Sequence, residues 1–221
     1  MKKFLMMAGI LASLVTGASA SVEVRIINAA GGGDTGWIQC ADPSCTFLGA
    51  VGNYFLTLDS AVKTDGVNPF LDMTYGAHTT VANAGTIVIE AMANGYTSFA
   101  TGFNLVANGN STLGDSDTIV AYQSNTNAFC AAGVNACVPT TAIVTTPSFT
   151  PNPGYSQTGS GGSSTVNPYS LGLAITISNP TAAGANTGDI MLDAVPEPAS
   201  VLLLGTLLVG VTQLVRRRVK A

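Results

Sequence analysis

Leu171-Gly172-Leu173-Ala174-Ile175-Thr176-Ile177-Ser178 alternates large apolar residues with small or hydroxylated ones at a period of two. That period sends one set of side chains to each face of a pleated ribbon, so the stretch reads as a half-buried β-strand. Val22, Val24 and Ile26 alternate with Glu23 and Arg25 in the same way. Runs rich in β-branched and aromatic residues recur at residues 54–58, 86–90 and 118–122, residues 96–106 have room for one or two strands more, and residues 188–194 for another. Between them stand turn-forming pairs: Asp65-Gly66, Asn68-Pro69, Asn94-Gly95 and Asn108-Gly109. No segment of the body sustains a helical period, although residues 127–138 have the makings of a short helical turn. Many short strands joined by polar turns predict a mostly β, antiparallel, sandwich-like single domain over residues 21–194.

One stretch interrupts the pattern. From Pro147 to Pro168, 16 of 22 residues are Pro, Gly, Ser or Thr. This composition buries too little apolar surface to offset its ordering entropy, which predicts a mobile loop or linker over 147–168.

The two ends differ from the body. Lys2 and Lys3 precede an apolar run of 12 residues, Phe4 to Val15, and Ala18-Ser19-Ala20 then supplies small residues. Twelve helical residues span about 18 Å, too short for a hydrocarbon core of about 30 Å, so residues 1–20 read as a secretory signal peptide cleaved between Ala20 and Ser21. Residues 199–215 are almost wholly apolar and are followed by Arg216, Arg217 and Arg218. Seventeen helical residues reach about 25 Å, enough for a short transmembrane helix, and the arginines belong on its cytoplasmic side. Pro196 and Pro198 keep the preceding segment extended, as a tether.

Val195-Pro196-Glu197-Pro198, a short apolar helix and a terminal arginine cluster together resemble the PEP-CTERM sorting signal of Gram-negative bacteria. The resemblance covers residues 195–221 only. It implies an exported protein, held first at the inner membrane by its tail and then handed to an exosortase-type processing enzyme for the cell surface or extracellular matrix. Pro196, Glu197 and Pro198 are then the recognition residues, and Arg216, Arg217 and Arg218 the retention signal. An association with exopolysaccharide or biofilm machinery follows from the same resemblance.

Charge narrows the partners. The chain carries 8 basic and 12 acidic residues, and only Arg25 and Lys63 among the bases fall within residues 21–195. An acidic body of this kind argues against nucleic acid. An exported chain meets an oxidising compartment, so Cys40, Cys45, Cys130 and Cys137 are expected in disulfides. Four cysteines allow three connectivities; loop entropy favours a long link, whereas proximity favours the local pairs 40–45 and 130–137, the pairing adopted as the expectation.

The remaining motifs are weak. Gly31, Gly33 and Gly36 match G-x-G-x-x-G but lack the helix whose N-terminus would meet a phosphate. Asp34-Thr35-Gly36 occurs once, where aspartic-protease chemistry needs two such carboxylates. His78 is the only imidazole and has no nucleophile motif around it. Asn108-Gly109-Asn110 and Asp115-Ser116-Asp117 gather hard oxygen ligands, which makes Asp115 and Asp117 a candidate calcium pair; no other cofactor is expected.

With no catalytic constellation, the expected function is structural or adhesive. Two alternatives stand beside it. One is a carbohydrate-binding module with Trp37 and the tyrosines as a stacking platform. The other is a secreted polysaccharide hydrolase drawing paired carboxylates from Asp59, Asp65, Asp72 and Glu90.

Overall fold

The computed structural model describes residues 22–29, 32–40, 44–63, 69–97, 100–125, 141–162, 165 and 168–195. Outside them lie Ala20 and Ser21 of the signal-peptide junction, Gly31, Asp65-Gly66, residues 126–140 with Cys130 and Cys137, and the whole tail with Pro196, Glu197, Pro198, the apolar run 199–215, Arg216, Arg217 and Arg218. The described residues hold thirteen β-strands and no helix.

The strands form two sheets, antiparallel throughout. The seven-stranded sheet contains β1 (Val22–Asn28), β2 (Gly33–Asp34), β3 (Ile38–Cys40), β7 (Ile87–Tyr96), β9 (Ser116–Ser124), β10 (Thr141–Thr145) and β12 (Tyr169–Ser178), in the order β10-β9-β12-β7-β1-β2, with β3 also paired to β1. The six-stranded sheet contains β4 (Ser44–Val51), β5 (Tyr54–Lys63), β6 (Phe70–Thr79), β8 (Gly102–Ser111), β11 (Gly154–Gly161) and β13 (Gly184–Val195), in the order β11-β8-β13-β6-β5-β4. Strands β6 to β13 hop between the sheets so that β6-β13-β8-β11 faces β7-β12-β9-β10, the strand order of a jelly roll. β1 to β5 extend both sheets beyond it.

The core lies between the sheets and follows the period-two arithmetic. Leu171, Leu173, Ile175 and Ile177 of β12 are buried against Leu71, Met73, Leu105, Ile190 and Leu192 of the other sheet within one apolar cluster. Tyr96 and Tyr169 stack at 5.3 Å between ring centroids, and Phe103 meets Tyr169 edge-on at 6.4 Å. Tyr96 Oη donates to the Phe70 carbonyl at 2.9 Å, so the buried phenol keeps a partner.

Three local expectations change. The segment read as a mobile loop contains β11, whose eight residues pair with β8 from Gly154↔Asn110 to Gly161↔Phe103. Backbone pairing in a preformed sheet supplies what its Gly, Ser and Thr side chains lack. Asn94-Gly95 is a bulge inside β7, not a turn: Gly95 has φ +82°, and the register against β12 shifts beside it. Asn108-Gly109 lies inside β8, where the glycine makes room for a tyrosine described below.

Cys40 and Cys45 are joined as proximity suggested. The bond fastens β3 of one sheet to β4 of the other.

Candidate functional site

Two polar regions stand out, one on an outer face and one inside. The outer face of the six-stranded sheet is set by alternation: Leu105, Ala107, Ile190, Leu192, Met73 and Leu58 turn inward and leave Asn104, Asn108, Asn110, Thr187, Asp189, Thr74, Thr57, Asp59 and Thr46 exposed. Register aligns these into rows across the strands. Ser156, Asn108, Asp189, Thr74, Asp59 and Thr46 make one, with Asn110, Thr187, Gly76 and Thr57 beside it.

Thr74 Oγ1 donates to Asp189 Oδ1 at 3.0 Å. Asp72 lies diagonally across from Asp189, and burial, reinforced by the Asp189 carboxyl and by Asp59, pushes Asp72 up to about 6. At the end of the face, Asn104 and Ser160 border a shallow depression of about 260 Å³ that also touches Thr101, Gly162 and Val195.

The proposed hydrolytic carboxylates are separated. Asp59 and Asp72 share this face, Asp65 lies outside the described residues, and Glu90 sits in the other sheet directly opposite Arg25. Burial raises Glu90, and the neighbouring Arg25 opposes that. Asp189 escaped the sequence reading; its signal was the alternation of Ile190 and Leu192 with polar neighbours.

The expected aromatic platform does not form. Trp37, Tyr54, Tyr75, Tyr96 and Tyr169 are buried, and Tyr122 and Tyr155 partly so. The large apolar residues exposed among the described ones are Leu48, Phe55 and Val81.

Other motif residues have structural partners. Arg25 grips Asp34 through Nε at 3.1 Å and Nη2 at 2.7 Å, and the Gly36 amide donates to Asp34 at 2.8 Å. That guanidinium holds the Asp34 carboxyl below its usual range, against the cost of burial, so it is a staple and not a proton-sharing acid. After Gly33 and Gly36 the chain enters β3, where a dinucleotide site would need a helix. His78 is an exposed strand residue opposite Phe55.

The inner region centres on Asp115 and Asp117, both buried. Asn186 of β13 bridges them: its Nδ2 donates to Asp115 Oδ2 and to Asp117 Oδ2, each at 2.7 Å. Ser111 Oγ donates to Asp115 Oδ1 at 2.8 Å. Asn186 Oδ1 accepts from Tyr75 Oη at 2.9 Å, and Tyr75 Oη meets Tyr155 Oη at 2.5 Å. The two tyrosines reach toward each other over Gly109 and Gly188, in the row Tyr155-Gly109-Gly188-Tyr75. Asn108 and Asn110, grouped with the aspartates by sequence, face the other way; Asn186 takes their place.

No family model matches the chain, and no curated protein does. Similar solved structures include the CBM22-1 and GH10 modules of Clostridium thermocellum xylanase 10B with xylohexaose (12% identity, TM-score 0.34, 70% of this chain and 26% of that one). TmCBM61 with β-1,4-galactotriose is another (5% identity, TM-score 0.34, 64% and 88%). The K1 cleaved adhesin domain of Lys-gingipain from Porphyromonas gingivalis W83 is a third (9% identity, TM-score 0.37, 79% and 99%). The chain thus spans about a quarter of the xylanase chain. The sandwich itself rests on the strand pairing given above.

Proposed function

We propose that this protein is exported, anchored and processed through its C-terminal tail by an exosortase-type enzyme, and serves a structural or adhesive role at the cell surface by contacting exopolysaccharide. The observation that carries the binding half is the outer face of the six-stranded sheet, with its rows of Asn, Asp, Thr and Ser. Amides both donate and accept, and a carboxylate takes two donors, so such a lattice matches the hydroxyls of an extended glycan. Each bond contributes about 1 kcal/mol net, and tight binding comes from repetition along the polymer. The depression beside Asn104 and Ser160 is shallow, which suits a long chain laid across the face.

Affinity electrophoresis through gels containing the producing cells' exopolysaccharide tests this face. The unaltered protein is retarded, and Asn108→Ala with Asp189→Ala weakens retention by about tenfold or more, as expected for two lost polar contacts of 1 kcal/mol or so. Equal mobility with and without polysaccharide would remove the binding half. A second reading, hydrolysis by carboxylates of this face, would be revealed by new reducing ends in the same samples. The sorting half is tested by the mass and location of the protein in cells with and without the processing enzyme. If neither changes, Pro196 to Pro198 is only a linker.

A further inference from the structure

We propose that Asp115, Asp117, Asn186 and Ser111 form a calcium site inside the sandwich, where the chain crosses from β8 to β9. The four residues come from separate places in the fold: the end of β8, the β8–β9 connection, β9 and β13. They converge because register sets Ser111 beside Asn186 in one sheet, and the crossover delivers Asp115 and Asp117 to the other.

Charge requires something more than the protein supplies. Asp115 is 2% exposed and Asp117 0%, and among the described residues no basic side chain pairs with either. Asp117 Oδ1 is buried with no hydrogen-bond partner. A second buried anion without a counter-charge is costly, so this pair must hold a proton or a cation. The facing groups are phenols: Tyr54 from β5, Tyr75 from β6 and Tyr155 from β11. Burial, with the two aspartates adding to it, pushes Tyr54 and Tyr155 up to about 12, although the hydrogen bond with Tyr75 opposes this at Tyr155. Burial likewise lifts Asp117 to about 8, with Asp115 adding to it and the Asn186 amide opposing it.

The amide at the centre is what makes a cation fit. Rotating the Asn186 carboxamide by half a turn exchanges Nδ2 for Oδ1 and brings that oxygen together with Asp115 Oδ2 and Asp117 Oδ2, while Ser111 Oγ holds the other oxygen of Asp115. Nδ2 then faces Tyr75, whose hydroxyl can accept while it donates to Tyr155, since either phenol can be the donor in that pair. Two carboxylates with neutral oxygens and no His or Cys are a hard set suited to calcium and unsuited to zinc or copper. No group of three acidic, His or Cys residues gathers among the described residues, so affinity belongs in the range of about 10⁻⁴ to 10⁻³ M typical of extracellular modules.

The test uses the whole chain in mild detergent at pH 8. Equilibrium dialysis with radioactive calcium shows one ion per chain, and about 2 mM calcium raises Tm over EDTA by roughly 5 °C. Asp117→Asn loses both, Asn186→Asp tightens binding about tenfold, and Asp189→Asn on the outer face keeps the response. If Asp117→Asn fails to fold, dialysis of the unaltered chain still decides. No bound calcium and no Tm shift in that chain, or an unchanged response in Asp117→Asn, would overturn the site and leave a proton-sharing pair.

Discussion

Gly188→Ala probes the row of two tyrosines and two glycines directly. A Cβ built there lies 2.8 Å from both Cε1 and Oη of Tyr75, and closer still to Tyr155 Oη. Ordinary contact needs about 3.4 Å or more, so the hydroxyl pair must part. Overpacking costs about 1–3 kcal/mol, and the lost phenol–phenol bond, with a buried hydroxyl left short of a partner, about 1–3 more. Stiffening the unfolded chain returns about 0.4–1. The net is roughly 3 kcal/mol, or about 6–12 °C in Tm for a domain of this size. Calorimetry of Gly188→Ala, Tyr155→Phe and the double variant reads it. Because Tyr155→Phe removes the atom that the new methyl meets first, the pair should cost at least about 1 kcal/mol less than the two changes summed. A Gly188→Ala Tm within 1 °C of the parent, or strictly additive changes, would refute the packing described for this row.

Other predictions follow from the same structure. In calcium-free buffer, Asp117 holds its proton more tightly folded than unfolded. Its contribution is therefore fully present below the unfolded carboxyl's value of 3.8 and is lost as pH rises from there toward about 8, on the order of 5 kcal/mol at most, and urea titrations across that range should show the decline. Asp117→Asn flattens the curve. Reducing the Cys40–Cys45 bond, which closes a short loop, costs roughly 2 kcal/mol, seen as a lower Tm in dithiothreitol. Leu48→Lys, at a site 72% exposed on the edge strand β4, leaves stability within about 0.5 kcal/mol and lowers concentration-dependent aggregation measured by light scattering.

The sandwich was legible wherever side chains carried the alternation. β12 and β1 announce themselves because Leu, Ile and Val fill one face. β11 does not, since Gly-Tyr-Ser-Gln-Thr-Gly-Ser-Gly is a strand only by virtue of β8 beside it. The Asn-Gly pairs misled for a physical reason. At Gly95 the positive φ serves a bulge, and at Gly109 the missing side chain admits Tyr155; neither use differs from a turn in composition. Half of the buried polar site was visible, as Asp115 and Asp117. Its bridging amide was not, because Asn186 lies 69 residues beyond Asp117 and only the return of β13 brings them together.

β13 is the last strand described, yet it sits between β8 and β6, with ten pairings on each side. Until that final segment arrives, β8 and β6 have no common neighbour, and the sheet is split in two. Synthesis from the N-terminus therefore delivers the strand that joins β8 to β6 only after both of them. Any pull transmitted through Val195 likewise loads the hydrogen bonds of a central strand, paired on both sides, and does not peel an edge one rung at a time.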